Sequence, residues 1–482
     1  MGVVRPGPGS PTTLPTDPTG PTGLLATWLA HVAFEDVPSP VRERAKILIL
    51  DGLACALVGA QLPWSRLAVD LARRMEGPGD HALIGWGLTT SAPGAALLNS
   101  TFIQGFELDD FHPLAPLHSA SLVLPSLLAC NCGLGPVSGR RWLLAAIAGF
   151  ETGPRVGLAL HGGQMLSRGW HSGSVFGTHA SAAAAGKLLG LTAAQFEDAL
   201  GLAATQSCGL MAAQYEAMSK RMHHGFSARN GLYAAHLAAG GYTGIKRVFE
   251  REYGGFLSTF GEGHSPDATQ IASELGERWE TGRIVVKPYA AMGGLHAPLD
   301  CLFELMARRR FTADEVVRME VDVSHAVYHH GWWELERPIT PIAAQMNIGY
   351  ALAVATIDGA AMVEQFSPDR INSDDVWRLI PKITARHNPE FDKGGPLKRG
   401  STQMRVMLAD SSVLETFRAV PKTVAEPMSN DDVVRKFHTL TDGLLADQRR
   451  RDIADAVLAL ETMPDVAALI ELLAPPVRSA FD

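Results

Sequence analysis

The segment Ala180-Ser-Ala-Ala-Ala-Ala-Gly186 contains only small side chains, and Ala234-Ala-His-Leu-Ala-Ala-Gly-Gly241 is rich in them as well. Helices that present small residues to one another can approach closely. Several neighbouring segments are apolar on all sides, which is typical of helices at the centre of a bundle. We therefore predict a large and compact all-helical domain.

The helical pattern extends from residue 24 to about residue 273. Within it, Thr192-Ala-Ala-Gln195 fits a capping box, in which the first and fourth side chains each bind the other's backbone N–H. Gly190 fits the end of the preceding helix, because glycine readily adopts the left-handed conformation found there. These local signals predict where individual helices of the bundle begin and end.

The pattern changes near residue 283. Arg283-Ile-Val-Val-Lys-Pro288 and Val317-Arg-Met-Glu-Val-Asp-Val323 predict strands. Ala409-Asp-Ser-Ser412 separates two strand-like runs and predicts a hairpin, and Ser429-Asn-Asp-Asp432 predicts the start of a further helix. The predicted fold is mainly α with an α+β domain. We expect a disordered tail (residues 1–22), a helical domain (23–278), an inserted α+β lid domain (279–426) and a return to the helical domain (427–482).

The composition is ordinary for a globular protein, with 482 residues, 46% hydrophobic and 19% charged. A net charge of −8 without any basic cluster argues against a nucleic-acid partner. No apolar run reaches the roughly 18–20 residues that span a bilayer, and the first residues lack an apolar signal region. The five cysteines form no CxxC pair, which favours reduced thiols. We expect a cytoplasmic protein without a membrane partner.

The densest ionisable group is Glu107-Leu-Asp-Asp-Phe-His-Pro-Leu-Ala-Pro-Leu-His-Ser-Ala-Ser121, which apolar segments flank on both sides. Carboxylates and imidazoles are rarely buried unless they are paired or used. The functional interpretation gives Glu107 and His118 roles in proton transfer or substrate orientation, with Asp109 and Asp110 contacting substrate. The alternative is a hydrogen-bond network that only caps a helix end.

A metal site is a further hypothesis for this segment. His112, His118 and Asp110 have the ligand types of a two-histidine, one-carboxylate centre. Pro113 and Pro116 exclude a regular helical face of ligands between the two histidines. We therefore predict that the segment serves a substrate and that no metal is bound.

Two further segments combine histidine, glycine and cationic residues before apolar helices. Leu166-Ser-Arg-Gly-Trp-His-Ser-Gly-Ser-Val-Phe-Gly177 offers free N–H groups and a helix N-terminus to an anion, with His171 beside them. The later segment supplies Lys220, Arg221 and His223 between apolar flanks, which suits a multiply charged anionic substrate. The alternatives are a loop histidine with satisfied hydrogen bonds, and ordinary surface charge.

Lys287-Pro-Tyr-Ala-Ala-Met-Gly-Gly-Leu-His296 follows the first predicted strand, so we expect it at the domain junction, where clefts form. Lys287 and His296 are candidates for substrate contact, and the alternative is a strand end followed by a helix cap. Tyr328-His-His-Gly-Trp-Trp-Glu-Leu-Glu-Arg-Pro338 is predicted to be a loop that forms a lid or a dimer contact.

Motifs for nucleotide, dinucleotide, serine-hydrolase and zinc-protease sites are absent from the sequence. The chain resembles the MmgE/PrpD family over nearly its whole length from residue 24. The resemblance is carried by Arg44-Ala-Lys-Ile-Leu-Ile-Leu-Asp-Gly52, Asp109-Asp-Phe-His112, Lys220-Arg-Met-His223, Ala228-Arg-Asn-Gly231 and Glu336-Arg-Pro338.

The resemblance implies a large helical domain, a smaller lid-like α+β domain, a homodimer, and a site in the cleft that needs no metal or cofactor. The family's active-site positions fall on His118, His171 and Lys220, and an acidic position falls on Glu107. Met292 stands where animal decarboxylases of this family have another histidine, so that role is missing or moved here.

The similarity is most detailed with the fungal branch that decarboxylates cis-aconitate, at Ala115-Pro-Leu-His-Ser-Ala-Ser121, Gly209-Leu-Met-Ala-Ala-Gln-Tyr215 and Gly331-Trp332. It implies a carboxy-lyase that forms itaconate and CO₂. Lys220, Arg221 and protonated histidines would match the three carboxylates of that substrate. We assign proton delivery to His118 or Lys220, and carboxylate binding to His171 and Arg221. The alternatives are a 2-methylcitrate dehydratase, a decarboxylase of trans-aconitate, and a tricarboxylate-binding protein without activity.

Overall fold

The computed structural model describes residues 12–131 and 133–482. The first half of the described chain is helical apart from one short two-stranded ribbon. Its elements are α1 (Pro21–His31), α2 (Ser39–Ala60), α3 (Pro63–Glu76), β1 (His81–Ala82), β2 (Thr89–Thr90), α4 (Ala92–Ile103), α5 (Ala120–Asn131), α6 (Gly139–Ala159), α7 (Gly162–Ser167), α8 (Ser172–Val175), α9 (Gly177–Leu189), α10 (Ala193–Ala204), α11 (Ser219–Ala239) and α12 (Phe256–Phe260).

The small-residue segment lies at the centre of this bundle, as predicted. It forms α9, which packs against α5, α6 and α11. A Cβ placed on Gly231 of α11 would lie 2.5 Å from the Thr178 carbonyl oxygen of α9, so only glycine permits this approach. The local signals hold as well, since the Thr192–Gln195 capping box opens α10 and Gly190 ends α9 with φ 74°.

The second half of the described chain mixes helices and strands. Its elements are α13 (His296–Arg308), β3 (Val316–Val323), α14 (His325–Gly331), α15 (Pro341–Met346), α16 (Ile348–Asp358), α17 (Asp374–Leu379), β4 (Ile383–His387), β5 (Thr402–Leu408), β6 (Val413–Arg418), α18 (Lys422–Ala425), α19 (Asn430–Thr441), α20 (Asp447–Leu458) and α21 (Ala467–Leu473). The four strands form a sheet in the order β4-β3-β5-β6, in which only the β3–β4 pair is parallel. The predicted hairpin is the β5–β6 pair, and the predicted fold class is confirmed.

One predicted strand is wrong. Arg283 ends a 3₁₀ turn that begins at Glu280, and residues 284–288 form only an isolated antiparallel bridge, in which Val285 and Phe111 exchange backbone hydrogen bonds of 2.8 and 2.9 Å. Phe111 belongs to the polar segment that begins at Glu107. The four-stranded sheet consists of β3 to β6 and does not include residues 283–288. Pro288 lacks the N–H that would extend the pairing. This bridge fixes the polar segment against the residues that precede Lys287.

The last helices pack back onto the first bundle. The Lys436 Nζ of α19 lies 2.7 Å from Asp51 Oδ1 of α2 and donates to the Leu108 carbonyl at 2.8 Å. We therefore propose that residues 427–482 belong to the helical domain and that the α+β domain, residues 279–426, is inserted in it.

The N-terminal segment is ordered further upstream than expected. The Thr13 carbonyl accepts a hydrogen bond from Ala194 N, and Thr16 donates through its backbone N–H and its hydroxyl to Glu197. The helix α1 then begins at Pro21. The tail prediction for residues 1–11 lies outside the described residues.

No single helix in residues 12–131 and 133–482 is both long and apolar enough to cross a membrane. The bent pair α2–α3, with 85° between its helices, passes that test on length and composition when its two members are taken together.

Candidate active site

A cleft of about 200 Å³ lies between the helical bundle and the α+β part of the chain. Much of its wall is apolar, and a few polar side chains converge on it, which is the usual form of a small-molecule site. These polar residues come from both parts of the chain: Glu107, His118, His171, Ser172, Lys220, Lys287, His330 and Arg399.

Glu107 is at the centre of a buried charge cluster. Lys287 Nζ lies 3.0 Å from its Oε2, the Lys220 ammonium donates to its Oε1, and Arg221 Nη1 is 3.7 Å from Oε1. Burial alone would raise the pKa of Glu107, but the charges of Lys220 and Lys287 hold it well below its usual range. Two lysines and an arginine thus share one negative charge, which leaves positive charge for an anionic ligand.

The backbone of Glu107 is also unusual. After α4 and a 3₁₀ turn over Gln104–Phe106, Glu107 adopts φ 55° and ψ 32°. This left-handed conformation costs a residue other than glycine of order 1 kcal/mol and persists only where its surroundings impose it. Lys287 Nζ donates to the Glu107 carbonyl at 3.3 Å, and Gln345 Nε2 donates to the Phe106 carbonyl at 2.8 Å. The α+β part therefore helps to fix the direction of the Glu107 side chain.

His118 lies in front of a buried carboxylate. Its Nδ1 is 3.2 Å from Asp109 Oδ1, and the His118 side chain is 18% exposed while that of Asp109 is 1% exposed. Burial alone would raise the pKa of Asp109, but the positive charges of His118 and Lys287 lower it. Asp109 is therefore ionised, and it lies behind His118 rather than in the cleft wall, where it can orient the imidazole.

Three other imidazoles lie close to one another and to His118. The ring of His171 is 4.9 Å from that of His223 and 5.1 Å from that of His224, which is 5.4 Å from that of His118. Burial and the neighbouring rings lower the pKa values of His171 and His224 well below their usual range, and burial lowers that of His223 to about 4. These three rings are neutral at pH 7. The expected positive charge of protonated histidines is therefore supplied instead by lysine and arginine.

Five of the residues predicted from sequence line the cleft: Glu107, His118, His171, Lys220 and Lys287. The other five do not line it: Asp109, Asp110, Arg221, His223 and His296. Asp109 reaches the cleft only through His118, and His223 is buried beside His171.

The substrate-contact role predicted for Asp110 does not fit its position. Both of its carboxylate oxygens lie 3.2 Å from the Ala120 N–H at the start of α5, so it caps that helix. Burial and the charge of Asp109 raise the pKa of Asp110 well above its usual range. His112 is also structural, with its Nε2 3.0 Å from Glu280 Oε2. Helix capping, the alternative interpretation of this segment, therefore describes Asp110.

Arg221 and His296 also lie outside the cleft wall. Arg221 follows Lys220 by one residue, which turns its side chain by about 100° around α11. Its guanidinium donates to Gln345 Oε1 and lies over the Trp64 ring at 5.4 Å. His296, at the start of α13, has its Nδ1 2.8 Å from Thr423 Oγ1, and burial lowers its pKa to about 3. Both side chains satisfy neighbouring protein groups.

Two cleft residues, His330 and Arg399, were not singled out from sequence. His330 lies in a segment that we predicted to be a loop, but its first residues belong to α14. Arg399 lies in Gly394-Gly-Pro-Leu-Lys-Arg-Gly400, whose glycine, proline and charge resemble those of any surface turn. No local signal in the sequence distinguishes either residue, because packing of the two parts of the chain brings them to the cleft.

The hypothetical metal ligands do not converge. His112 contacts Glu280, Asp110 caps α5, and His118 pairs with Asp109. Across the described ranges, no group of three or more His, Cys, Asp or Glu residues is arranged to hold a metal ion.

A cleft in which a buried carboxylate, two lysines and several imidazoles meet is the site of an enzyme that acts on a small anionic substrate. The chain belongs to the MmgE/PrpD family. The MmgE/PrpD N-terminal domain matches residues 23–269, and the MmgE/PrpD C-terminal domain matches residues 289–461. The resemblance noted in the sequence is thereby confirmed.

Three curated relatives show how far the similarity extends. Cis-aconitate decarboxylase of Aspergillus terreus is 44% identical over 96% of this chain and 97% of the relative. The cis-aconitate decarboxylase-like protein oryM of Aspergillus oryzae is 43% identical over 94% of this chain and 97% of its own length. Human cis-aconitate decarboxylase is 25% identical over 94% of this chain and 95% of its own length.

Proposed function

We propose that this protein is a carboxy-lyase that converts cis-aconitate to itaconate and CO₂. The observation that carries the proposal is the near-full-length similarity to the Aspergillus decarboxylases, together with a cleft suited to their substrate. In that cleft Glu107 is shared by Lys220 and Lys287, and His118 stands beside them. The excess positive charge suits a tricarboxylate, and His118 provides a group that can transfer a proton.

The chemistry needs few groups from the protein. The bond between the methylene carbon of cis-aconitate and its carboxylate breaks, and CO₂ leaves. The electron pair that remains spreads over the adjacent double bond to the far carbon, which lies next to another carboxylate. A proton added to that carbon gives itaconate. The substrate's own allylic system accepts the electrons, so the protein has to hold the carboxylates, stabilise the developing charge and deliver the proton.

His118 is the proposed proton donor. It lines the cleft and is partly exposed, and its Nδ1 lies 3.2 Å from Oδ1 of the buried Asp109, so we assign contact with the substrate to its other nitrogen, Nε2. Lys220 is the second candidate, because burial lowers the pKa of its ammonium despite the charge of Glu107. We assign to Lys220 and Lys287 the stabilisation of substrate carboxylates, and to the neutral His171 a single hydrogen bond.

The direct test is turnover. Purified protein is incubated with cis-aconitate, trans-aconitate or 2-methylcitrate, before and after dialysis against EDTA, and the products are identified by NMR. We expect itaconate from cis-aconitate, with no loss of rate after EDTA. Dehydration of 2-methylcitrate without CO₂ release would make the protein a dehydratase, and binding without turnover would make it a tricarboxylate-binding protein. Restoration of an EDTA-sensitive activity by Mg²⁺, Zn²⁺ or Fe²⁺ would contradict the metal-free mechanism.

We also propose that the protein is a homodimer. Support comes from Leu67, Leu71 and Met75, which are spaced by four residues on one face of α3 and are 48%, 49% and 87% exposed. They border an apolar groove of about 390 Å³ that Trp64 and Phe226 also line. Apolar surface of this kind often marks an interaction site, and a second copy of the chain would cover it.

We propose a cytoplasmic location because the cysteines that the structure describes are free thiols. Cys55, Cys130 and Cys301 are free and buried, and Cys208 is free and exposed. Free thiols persist in reducing compartments. Fractionation of cells that express the protein would test the location, and recovery with organelles would contradict it.

A further inference from the structure

Arg399 enters the cleft from the α+β part of the chain. It lies in the turn Pro396–Gly400, where its carbonyl accepts a hydrogen bond from Ser324 Oγ at 2.5 Å. Its side chain reaches across to the helical part, where Nη2 donates to Ser167 Oγ of α7 at 2.9 Å. This single side chain therefore connects the two walls of the cleft.

The helical part has a recess that accommodates the arginine. The Arg399 guanidinium lies directly over Gly163 in α7, where an added Cβ would be 1.6 Å from Nη1 and 2.9 Å from Cζ. Any larger residue at this position would displace the guanidinium. The guanidinium is therefore seated against the α7 backbone at Gly163.

Arg399 differs from the other cations of the cleft because no carboxylate among the described residues pairs with it. Asp392 is the acidic residue that acts on Arg399 electrostatically, and its negative charge favours the charged guanidinium. That carboxylate is bonded to His387 Nε2 at 2.6 Å and to the backbone N–H of His325 at 2.9 Å. Lys220 and Lys287, in contrast, share Glu107. Burial lowers the pKa of Arg399, and a partly buried cation without an anionic partner is costly unless a ligand supplies one.

His330, which also lines the cleft, has one ring nitrogen without a hydrogen-bond partner in the described part of the chain. Its residue is 6% exposed, it lines the cleft, and its Nε2 has no hydrogen-bond partner among the described residues. Burial and the charges of His329 and Arg399 lower the pKa of His330 to about 4, so the ring is neutral. His330 therefore places in the cleft wall a neutral imidazole that can form one hydrogen bond with a ligand.

We propose that Arg399 and His330 form a carboxylate-binding subsite, contributed by the α+β part, for one carboxylate of the substrate. The guanidinium supplies a charged hydrogen-bond fork and the imidazole a single hydrogen bond. The identity of this ligand rests on the proposed function. Lys220 and Lys287 bind the rest of the molecule, so a bound tricarboxylate contacts both parts of the chain through ionic groups.

The experiment measures binding separately from turnover. Propane-1,2,3-tricarboxylate carries three carboxylates but no double bond, so it cannot undergo the reaction. Its dissociation constant is measured by calorimetry for the full-length wild type and for Arg399→Gln, Arg399→Lys and His330→Gln. The control is Lys398→Gln, which removes a neighbouring exposed charge that does not line the cleft. Thermal melting checks that each variant is folded.

We expect Arg399→Gln to weaken binding by about 10- to 100-fold, the value of a charged hydrogen bond in a partly desolvated site. Arg399→Lys should lie between it and the wild type, because the charge remains but the fork is lost. Lys398→Gln should change binding by no more than about twofold, as for an exposed charge. In turnover of cis-aconitate, Arg399→Gln should raise KM more than it lowers kcat.

The inference is overturned if folded Arg399→Gln binds the tricarboxylate as the wild type does, or if Lys398→Gln weakens binding equally. These outcomes are distinguishable from failure of the proposed function. If the wild type binds the tricarboxylate, Arg399→Gln weakens that binding and cis-aconitate is not turned over, the subsite is supported and the proposed activity is contradicted. A wild type that turns over cis-aconitate with unchanged KM in Arg399→Gln would keep the activity and refute the subsite.

Discussion

Lys220 and Lys287 share one carboxylate, so neither cation is free, but their combined charge exceeds that of Glu107. Removing one lysine leaves Glu107 with a partner and so should not unfold the protein. It should instead remove charge that the transition state needs. Lys220 therefore gives a more informative test of catalysis than Glu107, whose removal would leave buried cations unpaired.

We predict that Lys220→Ala lowers kcat/KM for cis-aconitate by at least about 100-fold, the usual loss of a preorganised charged contact. Steady-state kinetics measure the effect, and circular dichroism should show a folded protein. Lys46→Ala is the matched control, because Lys46 is also buried and is paired with Glu43 at 2.8 Å, yet does not line the cleft. Near-wild-type kinetics for Lys220→Ala would remove Lys220 from the reaction.

His118 could either donate the proton or only orient the substrate, and these two roles have to be distinguished by experiment. If it donates the proton, turnover in D₂O places one deuterium on the saturated CH₂ of itaconate. His118→Gln keeps a hydrogen-bonding group but cannot transfer a proton, so its kcat should fall by about 10²–10⁴-fold with little change in KM. Steady-state kinetics and NMR of the product measure these effects.

Asp109→Asn provides the comparison, since it keeps His118 and removes only the charge behind it. A smaller fall in kcat than that of His118→Gln would mark Asp109 as a positioning residue. More than about a tenth of wild-type activity in His118→Gln, against the 10²-fold minimum usual for acid catalysis, would assign the proton to Lys220.

The turn over residues 280–283 is the element that holds the polar segment in place. Glu280 Oε2 lies 3.0 Å from His112 Nε2, and the Glu280 and Thr281 N–H groups donate to Glu151 of α6. Burial alone would raise the pKa of Glu280, but the hydrogen bond from His112 and the neighbouring arginines lower it to about 2. The carboxylate is thus more acidic in the folded state than in the unfolded chain.

We predict that Glu280→Gln lowers the free energy of unfolding at pH 7 by about 1–3 kcal/mol, the value of a hydrogen bond to a charged group. A depressed folded-state pKa contributes stability above the unfolded pKa, and that contribution is lost as the pH falls toward about 2. The difference between wild type and variant should therefore shrink by about 1 kcal/mol between pH 7 and pH 4.

Urea unfolding at the two pH values measures this difference. Glu390→Gln is the control, because Glu390 forms an exposed ion pair with Lys393. It should change stability by less than about 1 kcal/mol at either pH. A Glu280→Gln difference that does not change with pH would show that folding leaves the pKa of Glu280 unshifted and would contradict the prediction.

At the scale of the whole molecule, the exposed apolar face of α3 is the expected contact between two copies of the chain. We predict that Leu71→Glu combined with Met75→Glu converts a dimer to a monomer, because a dimer would bury these charges unpaired. Light scattering coupled to size exclusion measures the mass. Val413→Glu is the control, since Val413 is 54% exposed on β6, away from this face. A wild type that elutes as a monomer would contradict the homodimer.

Features that depend on neighbours in the chain were predictable from the sequence. The Thr192 capping box, the 409–412 hairpin and the helix start at Ser429 each arise from contacts within a few residues. His118 and Lys220 were also found, because dense ionisable groups between apolar segments are costly unless they are used. The family resemblance raised their significance further.

Only the tertiary structure decided which ionisable groups reach the cleft. Asp110 and His118 lie in the same polar segment, yet Asp110 caps α5 and His118 lines the cleft. Arg399 is 232 positions from Ser167, with which it bonds across the cleft. The physical reason is that a local hydrogen bond is determined by adjacent residues, whereas burial at a domain junction depends on how distant segments pack. The residues next to Arg399 or Asp110 in the sequence therefore do not indicate whether either side chain lines the cleft.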